Sequence, residues 1–258
     1  MLTDFRMKSA RTFCVAGLIL LFVAIVNVAF ALLVKSFEYD DILREPAALI
    51  LARFDAGGEA LILIWLTFAV GCLLFVPIAL LLPRELGAGS QSGVSATAAL
   101  GVISSVLQAI GLLRWVFVVP VLAASYLSAD ASEATREVAL SNFQLVHHYG
   151  GVVIGEFLGQ VFLVAWTIGT CAAMLRSNRT LRWLGRVGLL TVPLWILGFS
   201  ELLATVMPSV ASLELAPVAF MAWEAWLTAV AIALLAQALR ARHLSPSAPS
   251  VATTPAVP

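Results

Sequence analysis

Six apolar stretches, each long enough to cross a bilayer as a helix, dictate what this chain can become. A hydrocarbon core about 30 Å thick needs about 20 residues at a rise of 1.5 Å each. The stretches run over about 12–33, 60–82, 96–126, 149–175, 184–207 and 215–239. Of the 258 residues 61% are hydrophobic and only 12% charged, so a water-soluble fold would lack the polar surface to cover its own hydrocarbon. Within lipid every backbone N–H and C=O must be satisfied internally, and runs of this length achieve that as helices. The expected fold is all-α: a polytopic bundle of six transmembrane spans.

The third stretch carries Arg114 and Pro120 in its interior and should tilt or kink there. The first follows Arg6, Lys8 and Arg11 and contains Ala29-Phe30-Ala31, which looks like a signal-peptide cleavage site. Its apolar run nevertheless exceeds the 7–15 residues of a secretory segment, so it reads as a retained helix. Orientation follows from the loops. Arg6, Lys8, Arg11, Arg84, Arg176, Arg179, Arg182, Arg186, Arg240 and Arg242 fall on one side, and Lys35, Arg44, Arg53 and Arg136 on the other, diluted by acidic residues. The positive-inside rule then places both termini in the cytoplasm.

Two external segments, 36–59 and 127–148, are long enough for structure of their own, and 128–138 has the composition of a short amphipathic surface helix. The Pro-, Ser- and Ala-rich tail over 243–258 is expected to be disordered, and 87–93 to form a flexible turn. Cys14, Cys72 and Cys171 lie in apolar runs without metal spacing and read as small hydrophobes. A formal net charge of zero gives no reason to expect nucleic acid as a partner. The partners expected are the lipid bilayer and other membrane proteins or a second copy.

Ionisable side chains inside the spans carry the functional information, because each costs about 2.5–3.5 kcal/mol at a helix centre on insertion scales. Arg114, Glu156, Glu201 and Glu224 sit on four different spans, all in the outer half, with Asn27 at a comparable depth. One polar cluster facing an external opening is expected. Its formal charge of minus two requires a glutamate to be protonated or neutralised by a cation. Arg114 should fork onto a carboxylate, as guanidinium geometry favours. The same pairing also serves as an architectural staple between helices.

In the run from His147 to Gln160, Gly151, Gly155 and Gly159 recur every four residues and leave a face on which another helix can approach closely. His148, Glu156 and Gln160 share a neighbouring track, so Glu156 and Gln160 form a candidate ligand- or proton-binding pair. His148 and Glu156 are about 12 Å apart along a regular helix, which excludes joint coordination. His147 or His148 would bind a metal ion only with carboxylates from other helices. No cofactor is otherwise expected. Trp223 and Trp226 flank Glu224 and would either wall a ligand cavity, stack on a cation or pack the bundle. The arginines of 176–186 serve topology and suit anionic lipid headgroups. No phosphate-binding glycine loop, H-E-x-x-H, serine nucleophile elbow or CxxC motif is present.

Leu112-Leu113-Arg114-Trp115, Val146-His147-His148-Tyr149 with Gly155-Glu156 and Leu158-Gly159-Gln160, and Arg182-Trp183-Leu184-Gly185 resemble a bacterial family of integral membrane proteins, domain of unknown function 4386. The resemblance runs from Glu59 to Leu239. It implies a multi-pass protein of the bacterial cytoplasmic membrane and supplies no substrate. Three functions fit the residues: a non-catalytic accessory or sensing protein, a small-molecule or cation transporter built on the Arg/Glu cluster, and a metal-assisted membrane hydrolase using His147 or His148.

Overall fold

Helices in hydrocarbon propagate until a proline, a glycine or the polar interface stops them. The computed structural model describes residues 2–39, 41–86 and 90–243, with side chains from residue 10 to residue 240. Its elements are α1 (Leu2–Phe37), a 3-10 turn (Asp41–Arg44), α2 (Ala47–Leu73), α3 (Phe75–Leu86), α4 (Gln91–Phe117), α5 (Val119–Leu127), α6 (Glu133–Val146), a π-helix (His147–Leu158), α7 (Gly159–Leu175), α8 (Arg179–Ala204) and α9 (Ala216–His243). They combine into six spans long and apolar enough to cross a membrane: Ala10–Phe37, Ala47–Leu86, Gln91–Leu127, Glu133–Leu175, Arg179–Ala204 and Ala216–Arg240. The protein is a polytopic helical bundle.

The spans overlap the six apolar runs but do not share their limits. The second begins at Ala47, not near 60, because Ile50, Leu51 and Phe54 bury an extra helical segment in the core. Gly58, at φ 56° and ψ −155°, turns that segment into the span proper; only glycine adopts this conformation without strain. The fourth span is continuous back to Glu133, so the amphipathic helix expected over 128–138 is displaced to α6. Ser132 caps α6 by accepting the Thr135 N–H at 3.1 Å, and Ala139 and Phe143 are buried, so α6 packs on the bundle. The tail beyond His243 and residues 87–89 of the expected turn lie outside the described residues.

Two spans are broken where prolines dictate. Pro120 has no N–H for the Val116 carbonyl, and α4 gives way to α5 at Val118. Pro77 acts in the same way on the second span, which breaks at Leu74.

Polar ties define two ends of the bundle. Arg11 pairs with Glu85 and Asn178 donates to Gln237 at 3.2 Å at the end that carries the start of α1 and the end of α9. At the opposite end, here the loop end, Arg53 pairs with Glu38 at 2.8 Å and Arg44 approaches Glu214 at 3.7 Å. Helix α4 is central and packs on α2, α3, the π-helix and α7, while α9 closes the bundle between α1 and α8. Near the loop end Trp65 and Trp115 stack at 4.9 Å and 11°. Farther in, Phe22, Phe75, Trp166 and Trp223 form a second aromatic cluster. Large apolar side chains such as Leu63, Phe117 and Leu190 point outward, as contact with lipid tails allows.

Candidate functional site

The site is built where two backbones nearly touch. A Cβ at Gly111 would stand 2.6 Å from the Gly155 Cα and 3.2 Å from the Gly150 carbonyl oxygen. Only glycine on both sides lets α4 and the π-helix come this close. Gly151 and Gly159 face the same helix: Cβ atoms there would meet the Arg114 guanidinium at 2.5 Å and the Gln108 side chain at 2.7 Å. The glycine stripe therefore packs on α4. Ser104 fastens the contact by donating to the Gly159 carbonyl at 2.7 Å, and Gln108 donates to Ser104 at 2.8 Å. The intervening stretch is a π-helix, with i→i+5 bonding, and such segments are frequent at functional sites.

Arg114 occupies the space that Gly151 leaves open. It is 7% exposed, donates through Nη1 to the Gly111 carbonyl on its own helix, and lies with Cζ 5.2 Å from the Trp115 ring centre. Glu156 is within electrostatic range of it. The guanidinium thus bonds the Gly111 carbonyl, and Glu156 is the carboxylate in range for the pairing expected from the sequence. Arg114 Nε is buried without a partner.

Beside this junction lies a half-open cavity of about 340 Å³ whose lining includes Arg114, Glu156, Gln160 and Glu201. Asn27 also lines it. Glu224 stands behind Asn27, whose amide donates to its Oε2 at 2.8 Å; the residue is 5% exposed and its Oε1 is buried and unpartnered. Glu201 accepts the N–H of Ala216 at 2.9 Å and so caps α9, where a negative charge suits the helix N-terminus. Gln160 Oε1 is buried without a partner. Of the five ligand- or proton-binding candidates, Arg114, Glu156, Gln160 and Glu201 line one cavity and Glu224 is bonded to a lining residue, Asn27.

His147 and His148 are placed differently. They are absent from the cavity lining. The His147 ring stacks on Phe143 at 5.5 Å and 27° and meets Trp115 edge-on at 6.2 Å, with His148 at 6.3 Å. Among the described residues no group of three or more His, Cys, Asp or Glu side chains is arranged to hold a metal ion.

The sequence reasoning missed most of the cavity's apolar wall. Phe22, Phe30, Tyr39, Phe68, Phe75, Trp115, Trp195, Phe220 and Trp223 all line it; of these only Trp223 was a candidate. It also passed over Ser105 and Gln108, although polar residues one to three turns from Arg114 in an apolar span were a usable signal. Ser105 donates to the Cys72 carbonyl at 2.7 Å, which joins α4 to α2 at the cavity floor.

No curated protein and no solved structure is matched by this chain. One family model matches residues 15–233, a segment that contains every residue of the cavity; the chain belongs to that family, domain of unknown function 4386.

Proposed function

We propose that the protein binds a small molecule in this cavity, as the recognition step of a membrane transporter or sensor. The observation that carries the proposal is the convergence of Arg114, Glu156, Gln160 and Glu201, from three spans, on one half-open space of about 340 Å³. Ligand sites are typically about 300–1,000 Å³, mostly apolar, with a few convergent polar groups. A staple that served architecture alone would seal its polar atoms against one another, because each one buried without a partner costs free energy. Here Arg114 and Gln160, both on the cavity lining, each keep a buried polar atom without a protein partner, Nε and Oε1, which a sealed staple would not leave. With the loop charges placing the termini in the cytoplasm, the cavity belongs to the outer half of the membrane.

Cysteine accessibility tests this. In a background with Cys14, Cys72 and Cys171 changed to Ala, Gln160→Cys should react with methyl methanethiosulfonate at least tenfold faster than lipid-facing Leu190→Cys. Adding Leu112→Trp, which fills the cavity, should slow the reaction. Equal rates at the two positions, or indifference to Leu112→Trp, would refute a water-accessible binding space.

A further inference from the structure

We infer that the ligand of this cavity is an organic cation: a primary or secondary ammonium carried on a small apolar body. The inference rests on the proposal that the cavity binds a small molecule, and it specifies the chemistry of that molecule.

Charge decides the sign. Glu156, Glu201 and Glu224 face a single guanidinium, Arg114, at or directly behind the cavity wall. Two of the three carboxylates already have positive counterparts. Glu156 lies within range of Arg114, and Glu201 accepts from the N-terminus of α9. Glu224 receives only the neutral amide of Asn27 and keeps Oε1 bare. An added cation lowers the formal charge from minus two to minus one, whereas an added anion raises it to minus three. In a medium of low dielectric that difference outweighs neutral hydrogen bonds. Unpartnered donors are also present, namely Arg114 Nε and the indole N–H groups of Trp115 and Trp195. The indoles are neutral and the single guanidinium is already counted, so they do not reverse the sum.

The walls decide the body. A bare inorganic ion needs several ligands gathered closely around it, and among the described residues no group of three or more His, Cys, Asp or Glu side chains is arranged to hold one. Nine aromatic residues line the cavity instead, and aromatic faces attract cations within about 6 Å of the ring centre. Asn27, Pro217 and Met221 are lining residues that are also exposed, so the space has a mouth between α1 and α9, where Asn27 holds Glu224. Glu224, behind Asn27 and outside the lining, acts on the ligand through its charge, while the carboxylates of Glu156 and Glu201 on the lining offer oxygens to the N–H donors of a primary or secondary ammonium.

The test compares three probes of similar size: 2-phenylethylammonium, neutral 2-phenylethanol and 3-phenylpropionate. Each is titrated against the whole protein in nanodiscs of zwitterionic lipid, with binding read from tryptophan fluorescence and with Leu112→Trp protein as the blocked-cavity reference. The ammonium is expected to bind at least tenfold more tightly than the alcohol, and the carboxylate most weakly. Glu224→Gln keeps the side-chain shape and should reduce ammonium affinity about tenfold while leaving the alcohol unchanged. Equal or reversed preference among the probes overturns the inference yet leaves a binding cavity standing. No binding by any probe removes both. Stabilisation by K⁺ alone, with no response to the amine, also overturns it. If Glu224→Gln fails to fold, the order of the three probes on wild-type protein still decides.

Discussion

Gly111→Ala is expected to push α4 and the π-helix apart. Its new Cβ would lie 2.6 Å from the Gly155 Cα and 3.3 Å from the Gly155 nitrogen, against about 3.5–4.0 Å for carbon atoms in ordinary contact. Both obstacles are backbone, so no rotamer change relieves them, and the helices must separate by about 1 Å. A gap of that size forfeits a quarter to a half of the dispersion well for each contact along the interface, and overpacking of this kind costs about 1–3 kcal/mol. Gly155→Ala should behave alike, since its Cβ would meet the Gly111 Cα at 2.9 Å. The double variant should cost less than the two singles together, because helices already separated accept the second methyl more easily. Gly17→Ala is the control: it has nothing within 4 Å and should shift stability by less than about 1 kcal/mol. The assay is equilibrium unfolding in mixed micelles, followed by circular dichroism. Gly111→Ala matching Gly17→Ala, or strictly additive singles, would refute a backbone contact between these helices.

Two further substitutions probe the groups around the cavity by the same assay. Trp115→Ala removes a fully buried ring stacked 4.9 Å from Trp65 and should cost about 3–5 kcal/mol; a loss below about 1 kcal/mol would mean the ring is not packed as described. Ser104→Ala deletes the hydroxyl that donates to the Gly159 carbonyl and accepts from Gln108, and should cost about 0.6 and at most about 1.7 kcal/mol, the range of interhelical hydrogen bonds in membranes. Ser104→Ala matching the wild type would show that water or Gln108 replaces the bond.

The span count was legible because hydrophobic length is a property of single segments. Helix limits were not, since Ile50, Leu51 and Phe54 extend α2 through tertiary burial that no local pattern announces. Depth counting along straight helices set Arg114, Glu156, Glu201 and Glu224 at a comparable level, and the first three line one cavity with Glu224 bonded to Asn27 beside it. Direction around the helix axis does not survive kinks. The π-helix shifts every side chain from His147 to Leu158 relative to an α-helix, so residue tracks drawn at i, i+4 did not assign partners to His147 or His148. Gly151, Gly155 and Gly159 were readable as a packing face. That Gly111 would answer Gly155 across the interface needed the fold. The aromatic wall draws on five spans and the loop residue Tyr39, and a lining assembled from so many segments leaves no signature in any one of them.

A purely architectural role for the polar cluster is hard to reconcile with its energetics. Four ionisable residues cost about 10–14 kcal/mol on insertion scales if each sits near the helix centre. That gross figure is comparable with the whole stability of a typical domain, about 5–15 kcal/mol. The return in helix association is small. Asn27 with Glu224 joins α1 to α9, Glu201 caps α9, and Arg114 makes its hydrogen bond within α4, while interhelical polar contacts in membranes contribute about 0.6–1.7 kcal/mol each. Glycine contacts such as Gly111 against Gly155 hold the helices without any charge, and apolar side chains of similar volume would often pack as stably as a buried ion pair. On the proposed reading, what an apolar replacement would forfeit is the recognition of a charged ligand. Under that proposal the charges are half of an interaction whose other half enters the cavity from outside the chain.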